Sequence, residues 1–301
     1  MQLSTAMQEF DLSRVGRSPA TRAWYTRMLD PLIDFLDDAH ISEITASDLR
    51  RWHVDLEGRD VRWGEQRPME NGGLSPYTIN AHLRACRIFF RWLLEEGYID
   101  SNPTRRLDVP ALPDAPPKAI SNSDVEKMLE MAQADGARSY AIVCFLADTA
   151  CRIGGLVGLM IHDLDLEHRR AVVHEKGNHS RTVYFCEVTA DTLRTWLKVR
   201  PDRGDHVFVG QRGPLTGSGV YQILKRLAKM AGVKRFNPHA FRHGWARGAL
   251  ERGADLGTVA HVLGHSDIHV THKFYARWSD EELAQRHDRY SWMNDSSESD
   301  A

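Results

Sequence analysis

Asn237-Pro238-His239-Ala240-Phe241-Arg242-His243 combines a helix start with two side chains able to hold a phosphate. Asn is a strong N-cap because its side-chain oxygen accepts one of the unpaired N–H groups of the first turn, and Pro suits the first helical position. Three residues apart, His239 and Arg242 share one face of those turns. The free backbone N–H groups and the positive end of the helix dipole make the same place favourable for an anion. Phe241 and Trp245 fall on the opposite side and are expected in the core.

Three other stretches of the same half supply charged or nucleophilic groups. In Asp148-Thr-Ala-Cys-Arg152-Ile-Gly-Gly-Leu-Val-Gly-Leu159, an apolar helix runs up to Arg152 and Gly154-Gly155 bends the chain, so the guanidinium projects from a rigid base. Glu175-Lys176-Gly177-Asn178 reads as a tight turn between two strands, with Lys176 exposed at its tip. In Leu263-Gly264-His265-Ser266-Asp267, Gly264 ends a helix and His265 follows the turn; Thr271-His-Lys-Phe-Tyr275-Ala-Arg277 comes next. Singly, each has an ordinary reading as a surface arginine, a hairpin lysine, or one structural tyrosine among eight.

In this order the segments resemble the tyrosine recombinase (phage integrase) family: an arginine after a helix, a lysine on a β-turn, His-x-x-Arg, Gly-His and a C-terminal tyrosine. The matching positions are Arg152, Lys176, His239 with Arg242, Gly264 with His265, and Tyr275, and the resemblance extends over about residues 18–290. It implies a mainly α protein with a small β-sheet. A helical N-terminal core-binding domain of SAM-like type would precede a mixed α/β catalytic domain, the two forming a C-shaped clamp around DNA. Two departures stand out. Gly155 occupies a place where family members often carry an acid that supports the arginine, and Arg277 one where a histidine often follows the tyrosine.

The implied chemistry is strand cleavage and religation through a 3′-phosphotyrosine at Tyr275, without metal or cofactor. Phosphoryl transfer gathers negative charge on the non-bridging oxygens, and the planar forks of Arg152 and Arg242 suit that charge. A phenol with a free pKa of about 10 needs help near neutral pH. His239 is the candidate base, Lys176 the candidate acid for the departing 5′-oxygen, and His265 a hydrogen-bond donor to phosphate. The implied partners are double-stranded DNA sites and three further copies of the chain, a tetramer on two sites. Neighbours would exchange a C-terminal helix within 280–290, docked through Leu283 and Tyr290.

The first hundred residues read as three helices. Ser18-Pro19 opens one with Trp24, Met28, Leu32, Phe35 and Leu36 at helical spacing; Thr45 caps a second with Leu49, Trp52 and Leu56 inward; Ser75-Pro76 opens a third. On the third, Ile79, Leu83, Cys86, Phe90 and Leu93 form the buried face, while Arg84, Arg87 and Arg91 form a cationic stripe suited to a DNA groove. Met1 to Asp11 carries two acids and no apolar core segment, so it does not read as a secretory signal; the core-binding helices are expected to begin near residue 18, leaving no room for a further arm-binding domain. Gly58 to Gly73 reads as a loop, and Pro110, Pro113, Pro116 and Pro117 mark a stiff linker. The expected division is a core-binding domain over 1–107, linker 108–117, catalytic domain 118–293 and disordered tail 294–301. In the catalytic part, strand-like segments at 163–166, 171–174 and 181–185 interrupt helices, and the pattern is helical again from Glu187.

Composition is that of a globular protein: 301 residues, 42% hydrophobic and 27% charged. A net charge of −2 would suit DNA poorly if it were uniform, but Lys225 to Arg252 holds eight basic residues against Glu251 alone. Cys86, Cys144, Cys151 and Cys186 make no C-x-x-C pair, and no apolar run can span a bilayer, so a cytoplasmic location without membrane contact is expected. Two rival classes are open. A zinc-dependent hydrolase could use His261, His265, His269 and His272, spaced four, four and three, although Gly264 interrupts that helix. A DNA-binding regulator could keep the fold without the chemistry. A topoisomerase would share the chemistry without exchanging partners.

Overall fold

The structure, a computed structural model, describes residues 1–60, 73–112, 119–175 and 179–265, and the single positions 267, 269, 271, 272, 280, 283, 284, 287 and 288. The chain divides into two compact units, Met1–Asp114 and Ala115–Ala301. Most of the 58–73 loop, the prolines at 113, 116 and 117, the turn at 176–178 and the tail from 294 lie outside the described residues.

In the first unit, α1 (Leu3–Leu12), α2 (Pro19–Phe35), α3 (Ala46–Gly58) and α4 (Pro76–Glu95) surround one core. Local chemistry sets three of the starts. Ser18, Thr45 and Ser75 accept the N–H of Thr21, Asp48 and Thr78, and Asp48 returns a bond to Thr45 to complete a capping box. Along α4 the apolar stripe from Ile79 to Leu93 is buried, which leaves Arg84, Arg87 and Arg91 on the exposed side.

Helix α1 corrects the expectation that helices begin near residue 18. Leu3, Ala6, Met7 and Phe10 are buried at spacings i, i+3, i+4 and i+7. Phe10 meets Tyr25, Phe89 and Trp92 edge-on at 5.3, 5.4 and 5.3 Å. The two acids, Glu9 and Asp11, are outside this face, so they do not oppose burial.

The second unit opens with α5 (Asn122–Asp135), α6 (Ala137–Thr149) and the short α7 (Ile153–Val157). An antiparallel sheet follows, ordered β1 (Leu164–Asp165), β2 (Arg170–Glu175), β3 (His179–Tyr184). Ala171 pairs with Val183 and Val173 with Arg181, so the alternation that buries Ala171, Val173 and Val183 points Glu175 and Arg181 to the same inner side. After α8 (Glu187–Val199) comes a second correction to the sequence reading: a hairpin of β4 (Val209–Gly210) and β5 (Gly213–Pro214) interrupts the helical part. Strands of two residues are too short to show a period of two.

The fold closes with α9 (Gly217–Ala231), α10 (Pro238–Glu251) and α11 (Leu256–Leu263). Phe145, Phe208 and Phe241 are fully buried in the main core, and a smaller cluster of Ala150, Ala246, Ala249, Leu250, Val259 and Leu263 joins the end of α6 to α10 and α11. The approach of α10 is close. A Cβ on Gly244 would lie 2.7 Å from the Ile120 carbonyl oxygen, and the Ile120 N–H donates to the Ala240 carbonyl at 3.1 Å. Among the described residues no helix is long and apolar enough to cross a membrane, and Cys86, Cys144, Cys151 and Cys186 are all free thiols.

Candidate active site

Three chain reversals bring the candidate groups together. Ala150, in a left-handed conformation at φ 50°, ends α6 and turns the chain so that Arg152 takes the N-cap of α7. Asn237 caps α10 by accepting the Ala240 N–H at 2.9 Å, with Pro238 at the first position. Gly264, at φ 64°, ends α11 and releases His265. Non-glycine residues rarely adopt that conformation, and here a side chain would also have to displace Arg181: a Cβ on Gly264 would stand 2.6 Å from Cδ of Arg181.

The last carbonyls of α11 carry the negative end of its dipole and lack partners within the helix. Two arginines meet them. Arg181 donates to the Val262 carbonyl at 2.6 Å, and Arg242 donates from Nη2 to the Leu263 carbonyl at 2.5 Å. Arg242 also donates from Nη1 to the Ala150 carbonyl at 2.9 Å, two residues before Arg152. Arg181 in turn donates to Oε1 of Glu175 at 3.3 Å, and the other oxygen of Glu175 accepts from Arg152. One polar chain therefore runs from Arg152 through Glu175, Arg181 and the end of α11 to Arg242 and back to the base of Arg152. Arg242 is 4% exposed, whereas the Arg152 side chain is 38% exposed, so Arg242 is the anchored cation and Arg152 the one that faces outward.

The histidines lie in the field of these cations. Partial burial, then the charges of Arg242 and Arg152, hold His239 below the ordinary histidine range. His265 is lowered to about 4 by burial first and then by Arg242, Arg152, His243 and Arg181. Its Nδ1 is 2.7 Å from the Thr271 hydroxyl, which fixes the ring. His243, one residue past Arg242, is likewise lowered to about 4 by burial, His239 and Arg242. His239 and His265 are therefore neutral near pH 7, and a neutral imidazole can accept a proton or a hydrogen bond.

Arg152, His239, Arg242 and His265 thus share one locality, while Lys176, Tyr275 and Arg277 lie outside the described residues. Phe241 is buried as expected, and Trp245 packs against the small cluster. Glu175 and Arg181 were not among the sequence candidates. Their signal was the inward register of the β2–β3 hairpin, which only the strand pairing reveals. In the first unit the arginine stripe is partly committed: Arg87 donates to the Leu107 carbonyl, Arg91 is 3.7 Å from Glu95, and Arg84 is exposed. Leu283 is exposed at 49%, and Tyr290 lies outside the described residues.

The zinc arrangement fares poorly on geometry. The left-handed turn at Gly264 separates His261 from His265, so the two do not continue along one helix. Among the described residues no cluster of three His, Cys, Asp or Glu side chains could hold a metal ion.

Comparison with known proteins shows the family. The sequence pattern of the phage integrase family matches residues 118–282, and that of the phage integrase N-terminal SAM-like domain matches residues 9–97. The tyrosine recombinase XerC of Corynebacterium glutamicum is 30% identical over 279 residues, covering 90% of this chain and 85% of the relative. The tyrosine recombinase XerD of Halalkalibacterium halodurans is 33% identical over 210 residues, 66% of this chain and 70% of the relative. Among solved structures, the Tn1549 transposon integrase in complex with a circular intermediate DNA superposes with a TM-score of 0.74 at 22% identity, covering 96% of this chain and 99% of that one. A lambda integrase dimer bound to a COC′ core site gives a TM-score of 0.73 at 15% identity over 93% of this chain and 80% of that one. With both family patterns matched in order along most of its length, the chain belongs to the phage integrase family of tyrosine recombinases.

Proposed function

We propose that this protein is a site-specific DNA recombinase that cuts and rejoins DNA strands through a covalent 3′-phosphotyrosine on Tyr275. The observation that carries the reading is the gathering of Arg152, His239 with Arg242, and His265 from three chain segments around the end of α11. Two guanidiniums and two neutral imidazoles suit a phosphodiester better than a carbonyl or sugar, because the charge to be stabilised is already present and grows on the same oxygens. Fixed guanidinium charge does there what a metal ion does in other phosphoryl-transfer sites.

In the forward step the Tyr275 oxygen attacks the scissile phosphorus, its proton passes to His239, and the 5′-oxygen leaves with a proton from Lys176. Arg152 and Arg242 bind the non-bridging oxygens, and His265 donates one further hydrogen bond. The phosphotyrosine ester keeps the energy of the broken bond, so a 5′-hydroxyl can reverse the step without ATP. The arginine stripe of α4 contacts DNA phosphates, and 1–107 and 118–293 act as core-binding and catalytic domains. A tetramer on two DNA sites, linked by exchange of the helix within 280–290, completes the assembly.

A nicked duplex that loses its 5′-hydroxyl fragment on cleavage traps the intermediate. The wild-type protein is expected to form an adduct stable to denaturation and unaffected by a metal chelator. Tyr275→Phe is expected to bind the same DNA and form none. Adduct from the phenylalanine variant, or loss of wild-type adduct on chelation, would overturn the reading. Deletion from residue 279 is expected to spare binding to one site and abolish pairing of two; unimpaired pairing would remove the helix exchange.

A further inference from the structure

Arg152 faces outward, and Gly155, three residues further along the same short helix, has no side chain to support it. The space beside Gly155 is already taken: a Cβ there would lie 3.1 Å from Cβ of Val173 on β2. Two residues further along the same inner row of β2 stands Glu175, whose side chain is 7% exposed and whose two oxygens meet Arg152 and Arg181. We propose that Glu175 is the positioning residue for Arg152, taking over from the next strand the support that Gly155 cannot give. This rests on the assignment of Arg152 as a phosphate ligand.

The physical case has three parts. A carboxylate so nearly buried is costly unless paired, and two guanidiniums at its two oxygens supply the pairing. Guanidinium donors lie along more than one edge, so Glu175 can hold one edge of Arg152 while another meets phosphate. The third part is charge. Arg152, Arg181 and Arg242 are joined through a few bonds, and without Glu175 the first two would repel each other where Arg152 must stand still. Arg181 is itself fixed on the Val262 carbonyl, so the carboxylate is held from behind and transmits that rigidity to Arg152.

The test is single-turnover cleavage of the nicked duplex by Glu175→Gln, which keeps the shape and removes the charge. The expected result is cleavage slowed by about tenfold or more with DNA affinity changed by less than about threefold, because an aligned donor matters most to the transition state. Spectra with isotope-labelled arginine give a readout free of chemistry. The Arg152 guanidinium signal, identified by its loss in Arg152→Ala, is expected to be resolved in the wild type and averaged in Glu175→Gln. In the Arg152→Ala background, Glu175→Gln is expected to change any remaining cleavage by less than about twofold, since a residue acting only through Arg152 has nothing left to position. If Glu175→Gln does not fold, as judged by loss of a cooperative melt, Glu175→Asp replaces it under the same criteria. Cleavage at the wild-type rate, or an unaltered Arg152 signal, would overturn the role of Glu175 and leave the recombinase reading intact. Absence of adduct from the wild-type protein would instead remove that reading.

Discussion

Replacing Gly264 by alanine separates two contributions to the order of the site. The first is conformational: an L-residue held at φ 64° costs about 1–2 kcal/mol. The second is steric, because the new Cβ would sit 2.6 Å from Cδ and 2.9 Å from Nε of Arg181. Arg181 must then leave the Val262 carbonyl, and a hydrogen bond from a charged donor contributes about 1.5–3 kcal/mol. The sum is about 2.5–5 kcal/mol. Gly232 provides a matched control, since it ends α9 in the same left-handed conformation at φ 66° and a Cβ there meets nothing within 4 Å. Gly232→Ala should therefore show the conformational part alone, about 1–2 kcal/mol. Urea denaturation of both variants, with unchanged slope, measures the difference. Gly264→Ala should also slow cleavage, because Arg181 no longer backs Glu175, while Gly232→Ala should not. Equal losses of stability in the two variants would refute the claim that Arg181 is packed against the Gly264 turn.

Other perturbations test neighbouring parts of the same locality. Arg242→Ala should lose cleavage and also about 2–4 kcal/mol of stability, since the Ala150 and Leu263 carbonyls lose a charged donor; a variant as stable as wild type by urea titration would contradict the anchoring role. Gly244→Ala should destabilise by about 1–3 kcal/mol through overlap with the Ile120 carbonyl at 2.7 Å, and a neutral effect on melting would mean that α10 can shift away. His243 and His265 titrate near 4 when folded, below the ordinary value of 6.5, so the unfolded chain binds more protons between these values. Stability present above about pH 6.5 should decline as pH falls toward 4, and the replacement of both histidines by glutamine should flatten that decline; an unchanged slope would show that other groups govern it.

Local signals were legible along the chain and paired ones were not. The caps at Ser18, Thr45, Ser75 and Asn237 act within three or four residues, so each can be read where it stands. The apolar face of α4 and the left-handed stop at Gly264 are of the same kind. Helix α1 has an equally local pattern, Leu3-Ala6-Met7-Phe10, but a short segment bearing two acids is easily read by its charges before its spacing. The β4–β5 hairpin offers two residues per strand, which no periodicity can disclose. Glu175 and Arg181 depend on register, because a shift of one residue would turn both outward. The place of Arg242 on α10 is legible in the sequence, but only the tertiary fold shows that its two terminal nitrogens also donate to backbone carbonyls.

The polar chain around the α11 terminus is closed by bonds between residues far apart in sequence: Arg242 and Ala150 are 92 positions apart, and Arg181 and Val262 are 81. Contacts of such long range form late, once the loops between them have been ordered. On the proposed chemistry, a nascent or partly unfolded copy would hold its tyrosine with no assembled cradle for phosphate. The cradle of Arg152, Arg242 and the α11 terminus therefore exists only when folding of the second unit is finished.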